Sequence, residues 1–142
     1  MKKKYDYKDN EINGFFEWNK PYFLIDEKDE RSKRFDRIRK RCGMTPDETW
    51  SLNTTICVFM VPRLKMFKKY VIKLGAHPGC FNSVDEWVNV LNQMIWSFEN
   101  YLKDGPDEKF KEKFGEKADK IWYKRIDKGL KQFAKCFSAL WW

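Results

Sequence analysis

Residues 43–67 read GMTPDETWSLNTTICVFMVPRLKMF, and this stretch decides the fold class that we predict for the chain. It opens with a helix start signal. Thr45 suits the N-cap, Pro46 the first helical position and Glu48 the third, so that the three form a capping box. We therefore predict a long helix over residues 46–74.

The middle of this predicted helix is apolar on every side. Residues 56–61 read ICVFMV, and a helix that is hydrophobic all round is usually buried. From the spacing of three and four residues, we predict that Leu52, Ile56 and Phe59 face the core. Pro62 should kink the helix, because proline removes one backbone hydrogen bond. This helix is expected to be the centre of the fold.

The rest of the chain also has helical patterns, and we predict an all-α, single-domain helical bundle over residues 1–142. A second capping box, Ser83 with Glu86, begins a helix over residues 84–103, and a last helix covers residues 116–140. The other predicted segments are a frayed terminus at 1–11, an aromatic N-terminal arm at 12–28, and short helices at 29–41 and 107–115. The predicted buried side of the last helix holds Ala118, Ile121, Trp122, Arg125, Ile126, Gly129, Leu130, Phe133, Phe137 and Leu140.

Composition limits the classes of protein that fit. The chain has 142 residues, of which 18% are aromatic and 35% charged, and this favours a folded domain with a solvated surface over a disordered chain. No apolar run approaches the ~20 residues that a membrane span needs, and the N-terminus lacks a signal-peptide pattern. We therefore expect a cytoplasmic location and no membrane partner.

Residue types that support catalysis or metal binding are sparse. The four cysteines are widely spaced and the one histidine, His77, lies in a Pro/Gly loop, so we expect neither a zinc site nor a disulfide framework. Cys57 and Cys136 fit small core positions. No phosphate-binding loop or nucleophile motif is present in the sequence. We predict no enzyme activity, no metal and no cofactor.

Positive charge is concentrated in two segments. Residues 31–41 hold seven Lys or Arg against one Asp, and residues 117–135 hold seven against two. In the second segment the lysines recur every three or four residues, so they share one helix face that could bind phosphate groups. The alternative is the ordinary solvated face of an amphipathic helix. The candidate basic residues are Arg34, Arg37, Arg41, Lys120, Lys124, Lys128, Lys131 and Lys135.

Two other features point to a pocket for a ligand. Arg63 lies on a helix face predicted to be apolar, where a buried guanidinium needs a carboxylate, a carbonyl or an anionic ligand. Trp96 lies among amides and carboxylates within residues 84–103, where an exposed ring could stack on a planar ligand. The structural alternatives are a salt bridge from Arg63 to Glu99 or Asp85, and burial of Trp96 under another element. The candidate ligand-binding residues are Trp50, Asn53, Arg63, Lys65, Asn89, Asn92 and Trp96.

The central stretch resembles a recurring segment of small uncharacterised proteins from tailed bacteriophages. In those proteins the pattern Thr-Trp-x-Leu-Asp-x-Thr-Ile precedes a Pro-Arg-Leu-Lys-x-Phe helix, and Asn53 stands here where the pattern has Asp. The matching residues are Glu48-Thr49-Trp50-Ser51-Leu52, Thr55-Ile56, Phe59, Pro62-Arg63-Leu64-Lys65 and Phe67, with further matches at Glu86-Trp87, Met94-Ile95, Phe98-Glu99, Leu130, Phe133-Ala134-Lys135 and Leu140-Trp141. The resemblance implies a phage origin and action in the host bacterial cytoplasm.

Two functions follow as hypotheses. The first is a small phage accessory protein that counters host defence by sequestering an anionic, nucleotide-type ligand. The second is an inhibitor that binds a host protein or a nucleic acid through the basic segments, and a homo-oligomer is compatible with either. Salt dependence separates them, because binding that neutralises several phosphates weakens steeply with salt.

Overall fold

The computed structural model describes residues 30–44, 46–49 and 51–141, and all regular structure in these ranges is helical. The all-α prediction is confirmed there, and none of these helices has the length and apolarity to cross a membrane. Five α-helices follow in chain order: α1 Glu30–Cys42, α2 Leu52–Leu74, α3 Val84–Tyr101, α4 Glu108–Phe114 and α5 Ala118–Lys135. Short 3₁₀-helices occupy Pro46–Thr49, Gly115–Lys117 and Phe137–Ala139.

The chain divides into two compact units, Met1–Phe59 and Met60–Trp142. The predicted terminus at 1–11 and the predicted aromatic arm at 12–28 lie outside the described residues, as do Thr45 and Trp50. The prediction that residues 1–142 form a single domain stays a prediction.

The predicted helix start at Pro46 is wrong, because residues Pro46–Thr49 form a separate 3₁₀-helix and α2 begins at Leu52. In a continuous helix the carbonyl of Glu48 would accept from the backbone N–H four residues on. Here it accepts from the Thr55 hydroxyl at 2.7 Å instead. The Glu48 carboxylate accepts from Nε of Arg39 at 2.9 Å, which ties the 3₁₀-helix to α1.

α2 ends at Leu74, as the sequence predicts. Gly75 adopts φ 62°, and its N–H donates to the carbonyl of Ile72 at 3.3 Å. The N–H of Ala76 donates to the carbonyl of Val71 at 3.2 Å. This pair of hydrogen bonds is a Schellman motif, which needs a left-handed residue that glycine supplies without strain.

The buried face of α2 differs from the predicted one. Leu52, Ile56 and Phe59 are 53%, 44% and 46% exposed. The residues that are buried are Cys57, Val58, Val61, Leu64 and Val71. Because residues 56–61 are apolar on every side, two helix faces fit the periodicity equally well, and the sequence pattern selected the wrong one.

At the start of α3, the serine half of the predicted capping box forms as expected and the glutamate half is shifted by one residue. The Ser83 hydroxyl accepts from the Glu86 N–H at 3.2 Å. The Glu86 carboxylate reaches the N–H of Asn82 at 2.8 Å, one residue before the N-cap. The buried side of α3 holds Trp87, Leu91, Ile95 and Phe98. Val90, Met94, Ser97 and Asn100 are also buried.

The last predicted helix ends early. α5 stops at Lys135, and a 3₁₀-helix at Phe137–Ala139 follows it. Phe137 is exposed because the helical period that would bury it no longer applies beyond Lys135. Arg125 is exposed too, so its predicted place on the buried side is wrong. Ala118, Trp122, Ile126 and Gly129 are buried as predicted.

α3 and α5 approach each other closely at Gly129. A Cβ atom added at Gly129 would overlap both the Ser97 hydroxyl oxygen and the backbone carbonyl oxygen of Gln93, and it would lie 2.6 Å from Cβ of Ser97. Ser97 is fully buried, and its hydroxyl donates to the carbonyl of Arg125 at 3.2 Å. The two helices therefore pack backbone to backbone, which only very small residues permit.

We predict that Gly129→Ala destabilises the protein by at least about 1 kcal/mol, although alanine is intrinsically the better helix former by about 1 kcal/mol. The Gln93 carbonyl is backbone and cannot rotate away, and overpacking of this kind costs about 1–3 kcal/mol or more. Urea unfolding of the variant checks this. Gly79→Ala is the control, because a Cβ there meets nothing within 4 Å. A Gly129→Ala protein as stable as the wild type would contradict the packing.

The observed burial of α2 also predicts an ordering of stabilities. Leu64 is 2% exposed, so Leu64→Ala should cost about 2–5 kcal/mol. Phe59 has nearly half of its surface exposed, so Phe59→Ala should cost no more than about 1.5 kcal/mol. Thermal or urea unfolding of the two variants measures both values. The reverse order would show that the originally predicted face is the buried one.

Candidate functional site

The outer face of α5 is a continuous row of lysines. Six of them are spaced three or four residues apart along the helix, so all point to the same side. They are Lys117, which directly precedes α5, and Lys120, Lys124, Lys128, Lys131 and Lys135 within it, and each is exposed. Within the described residues, Lys131 alone among the six has an acidic partner, Asp127 at 2.6 Å. We call these six residues the lysine row.

The buried side of α5 fixes the direction of the lysine row. Trp122, Ile126 and Gly129 are buried, and α5 packs along α3. An open groove of about 640 Å³ follows the exposed side. Its described lining residues are Ile121, Lys124, Arg125, Asp127, Lys128, Lys131, Gln132 and Lys135. The groove combines ammonium groups with the apolar stems of the lysines and one isoleucine.

Arg125 lies at the border between the lysine row and α3. Its guanidinium carbon is 4.0 Å from the centroid of the Trp96 ring, which is a close cation–π contact. The backbone beneath it is held by the hydrogen bond from Ser97 to its carbonyl. The side chain is exposed, so the guanidinium rests on the indole while remaining open to solvent.

Trp96 belongs to an aromatic cluster between α3, α4 and α5. Its ring centroid lies 5.0 Å from that of Trp122 and 6.4 Å from that of Phe110. The Trp96 ring is half-buried. Nε1 of Trp122 is buried and has no hydrogen-bond partner in the described part of the chain. Ring packing therefore holds this cluster together.

Polar residues of the predicted pocket are engaged with each other. Lys65 forms an ion pair with Glu99, the residue suggested as a partner for Arg63. Lys68 donates to the side-chain oxygen of Asn92 at 3.0 Å. These two contacts connect the C-terminal part of α2 to one side of α3. Lys65 and Asn92 therefore already have partners within the protein.

The remaining predicted pocket residues have different surroundings. Arg63 is half-buried rather than buried, and burial lowers the pKa of its guanidinium without removing the charge. Asn89 is exposed on α3, and Asn53 is exposed in the unit Met1–Phe59. Trp50 lies outside the described residues. In the first basic segment, residues 31–41 on α1, Arg34, Arg37 and Arg41 are all exposed.

Sequence reasoning missed the pairing of Arg125 with Trp96. Both residues were singled out, but Arg125 was placed in the core and Trp96 in a pocket. The available signal was Gly129, since a glycine inside a helical pattern often has a packing reason. It marks where α5 approaches α3, and Arg125 lies one helical turn before it.

The two buried cysteines, Cys57 and Cys136, are not activated nucleophiles. Burial raises the pKa of the Cys57 thiol from 9.0 to about 11, and burial is also the main cause of the raised pKa of Cys136. Cys42 and Cys80 are exposed and unpaired. Across residues 30–44, 46–49 and 51–141, no three His, Cys, Asp or Glu side chains form a group that could hold a metal ion.

No protein-family model, curated protein or solved structure matches this chain. Its function is therefore inferred from the geometry of α5 and its neighbours.

We predict that two thiols per native molecule react readily with an aromatic disulfide reagent at pH 8. These should be Cys42 and Cys80, because a buried thiol with a raised pKa forms little thiolate. The neutral form of Cys57 is favoured in the fold, so its contribution to stability is complete below pH 9 and is lost as the pH rises towards 11. Rapid reaction of Cys57 in folded protein, located by mass spectrometry, would contradict this.

Proposed function

We propose that this protein is a non-catalytic binder of nucleic acid that takes up its ligand along the lysine row of α5. One observation supports this above the others: six exposed lysines follow one helix face, and the opposite face is buried. Phosphate groups dominate the affinity of proteins for nucleic acids, and lysine and arginine neutralise them.

The size of the lysine row suits an extended ligand. From the first to the last lysine the helix advances 18 residues, which is about 27 Å at 1.5 Å per residue. A single nucleotide has too few charges to use a row of this length. If four to six lysines each neutralise a phosphate of a single strand, the slope of log K against log salt should be about −3 to −4.

The same geometry disfavours a nucleotide pocket on α3. Lys65 and Asn92 would have to leave Glu99 and Lys68 to bind a small ligand, and the Trp96 ring would have to release Arg125. Breaking each of these existing contacts would make the free energy of ligand binding less favourable. The half-buried charge of Arg63 is the observation that favours the nucleotide-type ligand, which we keep as the second candidate.

In the phage-infected cell that the resemblance implies, such a protein would act through binding alone. It would cover a nucleic acid that a host defence factor needs, in the host cytoplasm, without altering it chemically. The exposed arginines of α1 form a separate basic surface in the unit Met1–Phe59.

We predict that Lys124→Glu/Lys128→Glu weakens nucleic-acid binding at least about 30-fold in low salt and makes the salt slope shallower by about 1.4, because two phosphate contacts are lost. Fluorescence polarisation with a labelled oligonucleotide, at a series of salt concentrations, measures both quantities. The two positions are exposed, so the melting temperature should change little.

Lys109→Glu/Lys113→Glu is the matched control, because it changes the net charge equally but lies on α4. If both double variants weaken binding alike, net charge alone attracts the ligand and the lysine row is not the site. If the wild type binds no oligonucleotide but retains a mononucleotide with little salt dependence, the second candidate is correct.

A further inference from the structure

The contact between Arg125 and Trp96 presents a flat, charged group beside the lysine row. The guanidinium is a planar group, and its carbon is 4.0 Å from the centroid of the Trp96 ring. Because the side chain is exposed, the guanidinium can meet a ligand without first leaving the indole. Arginine planes and aromatic rings are the groups on which unpaired bases stack in proteins.

Two sets of contacts hold the Arg125 guanidinium in place. Trp96 is itself supported by Trp122, whose ring centroid is 5.0 Å away, and Trp122 is almost fully buried. The Arg125 backbone is fixed by the hydrogen bond from the buried Ser97. A platform that is already ordered loses little entropy when a base stacks on it.

The surroundings of Arg125 place phosphate-binding groups beside this plane. Lys124 and Lys128 line the same groove, and Ile121, one turn away on the helix, adds an apolar surface. An ammonium row beside a stacking plane is the combination that proteins use for single strands.

We propose that Arg125, held on Trp96, is a stacking platform for an unpaired base, so that the lysine row selects single-stranded nucleic acid. This inference rests on the proposed function and names the class of nucleic acid that it takes. In a duplex the bases are stacked on one another, and a protein reads only their edges in the grooves. A base that stays paired and stacked inside a duplex cannot lie on the Arg125 guanidinium, so a duplex would gain nothing from the platform.

The test is Arg125→Lys, which retains the charge and removes the plane. Binding is measured by fluorescence polarisation to a labelled single-stranded 15-mer, to the same sequence as a duplex, and to inorganic polyphosphate in competition. We expect about tenfold weaker binding to the single strand, in the range for loss of one stacked base. Binding to the duplex and to polyphosphate should change less than twofold.

Two further variants separate stacking from structure. Trp96→Leu removes the support of the guanidinium and should reproduce the selective loss, whereas Lys124→Arg adds a guanidinium without support and should leave the preference for single strands unchanged. Circular dichroism melts select conditions in which every variant is folded. A loss in Arg125→Lys that persists in folded protein and is absent with polyphosphate therefore reports stacking.

Three results would overturn the inference. Equal losses on all three ligands would mean that Arg125 contributes only charge or packing, and the proposed function would stand. A wild-type preference for the duplex would remove the single-strand class and leave nucleic-acid binding intact. No binding of any nucleic acid by the wild type would overturn the proposed function itself.

Discussion

The contact between Ser97 and Gly129 is the constraint on which the rest of the unit Met60–Trp142 depends. Gly129 lets the backbone of α5 approach α3 so closely that position 129 has no room for a Cβ atom, and the buried Ser97 hydroxyl donates to the carbonyl of Arg125 across this contact. This contact fixes both how near the helices lie and how α5 is rotated about its own axis. The aromatic cluster of Trp96, Trp122 and Phe110 then fills the volume beside it.

The rotation of α5 about its axis determines where its repeating lysines face. With Gly129 against α3, the lysine row points to solvent and Arg125 falls at the border, where Trp96 meets it. A different rotation would bury lysines, which is costly, or would leave Arg125 away from any ring. The same packing therefore explains the stability of the helix pair and the arrangement of the candidate binding face.

Local signals in the sequence predicted the helices well where a cap or a glycine was decisive. Gly75 ends α2 and Ser83 caps α3 because these interactions are made by residues adjacent in the chain. The prediction failed where the choice depended on distant partners. Glu48 pairs with Arg39 rather than capping a helix, and Phe59 is exposed because an all-apolar run fits two faces. Of the candidate site, the lysine row followed from spacing, but the engagement of Lys65 with Glu99 did not.

The sequence by itself determined that the described chain is helical, where most helices end, and that α5 has a basic face opposite an apolar one. These properties depend on backbone preferences and on a period of 3.6 residues, both of which are local. Only the tertiary structure decided which face of α2 is buried, that Trp96 supports Arg125, and that Gly129 sets the helix spacing. Those outcomes depend on contacts between residues about 30 positions apart, and such contacts follow from close packing that no local pattern encodes.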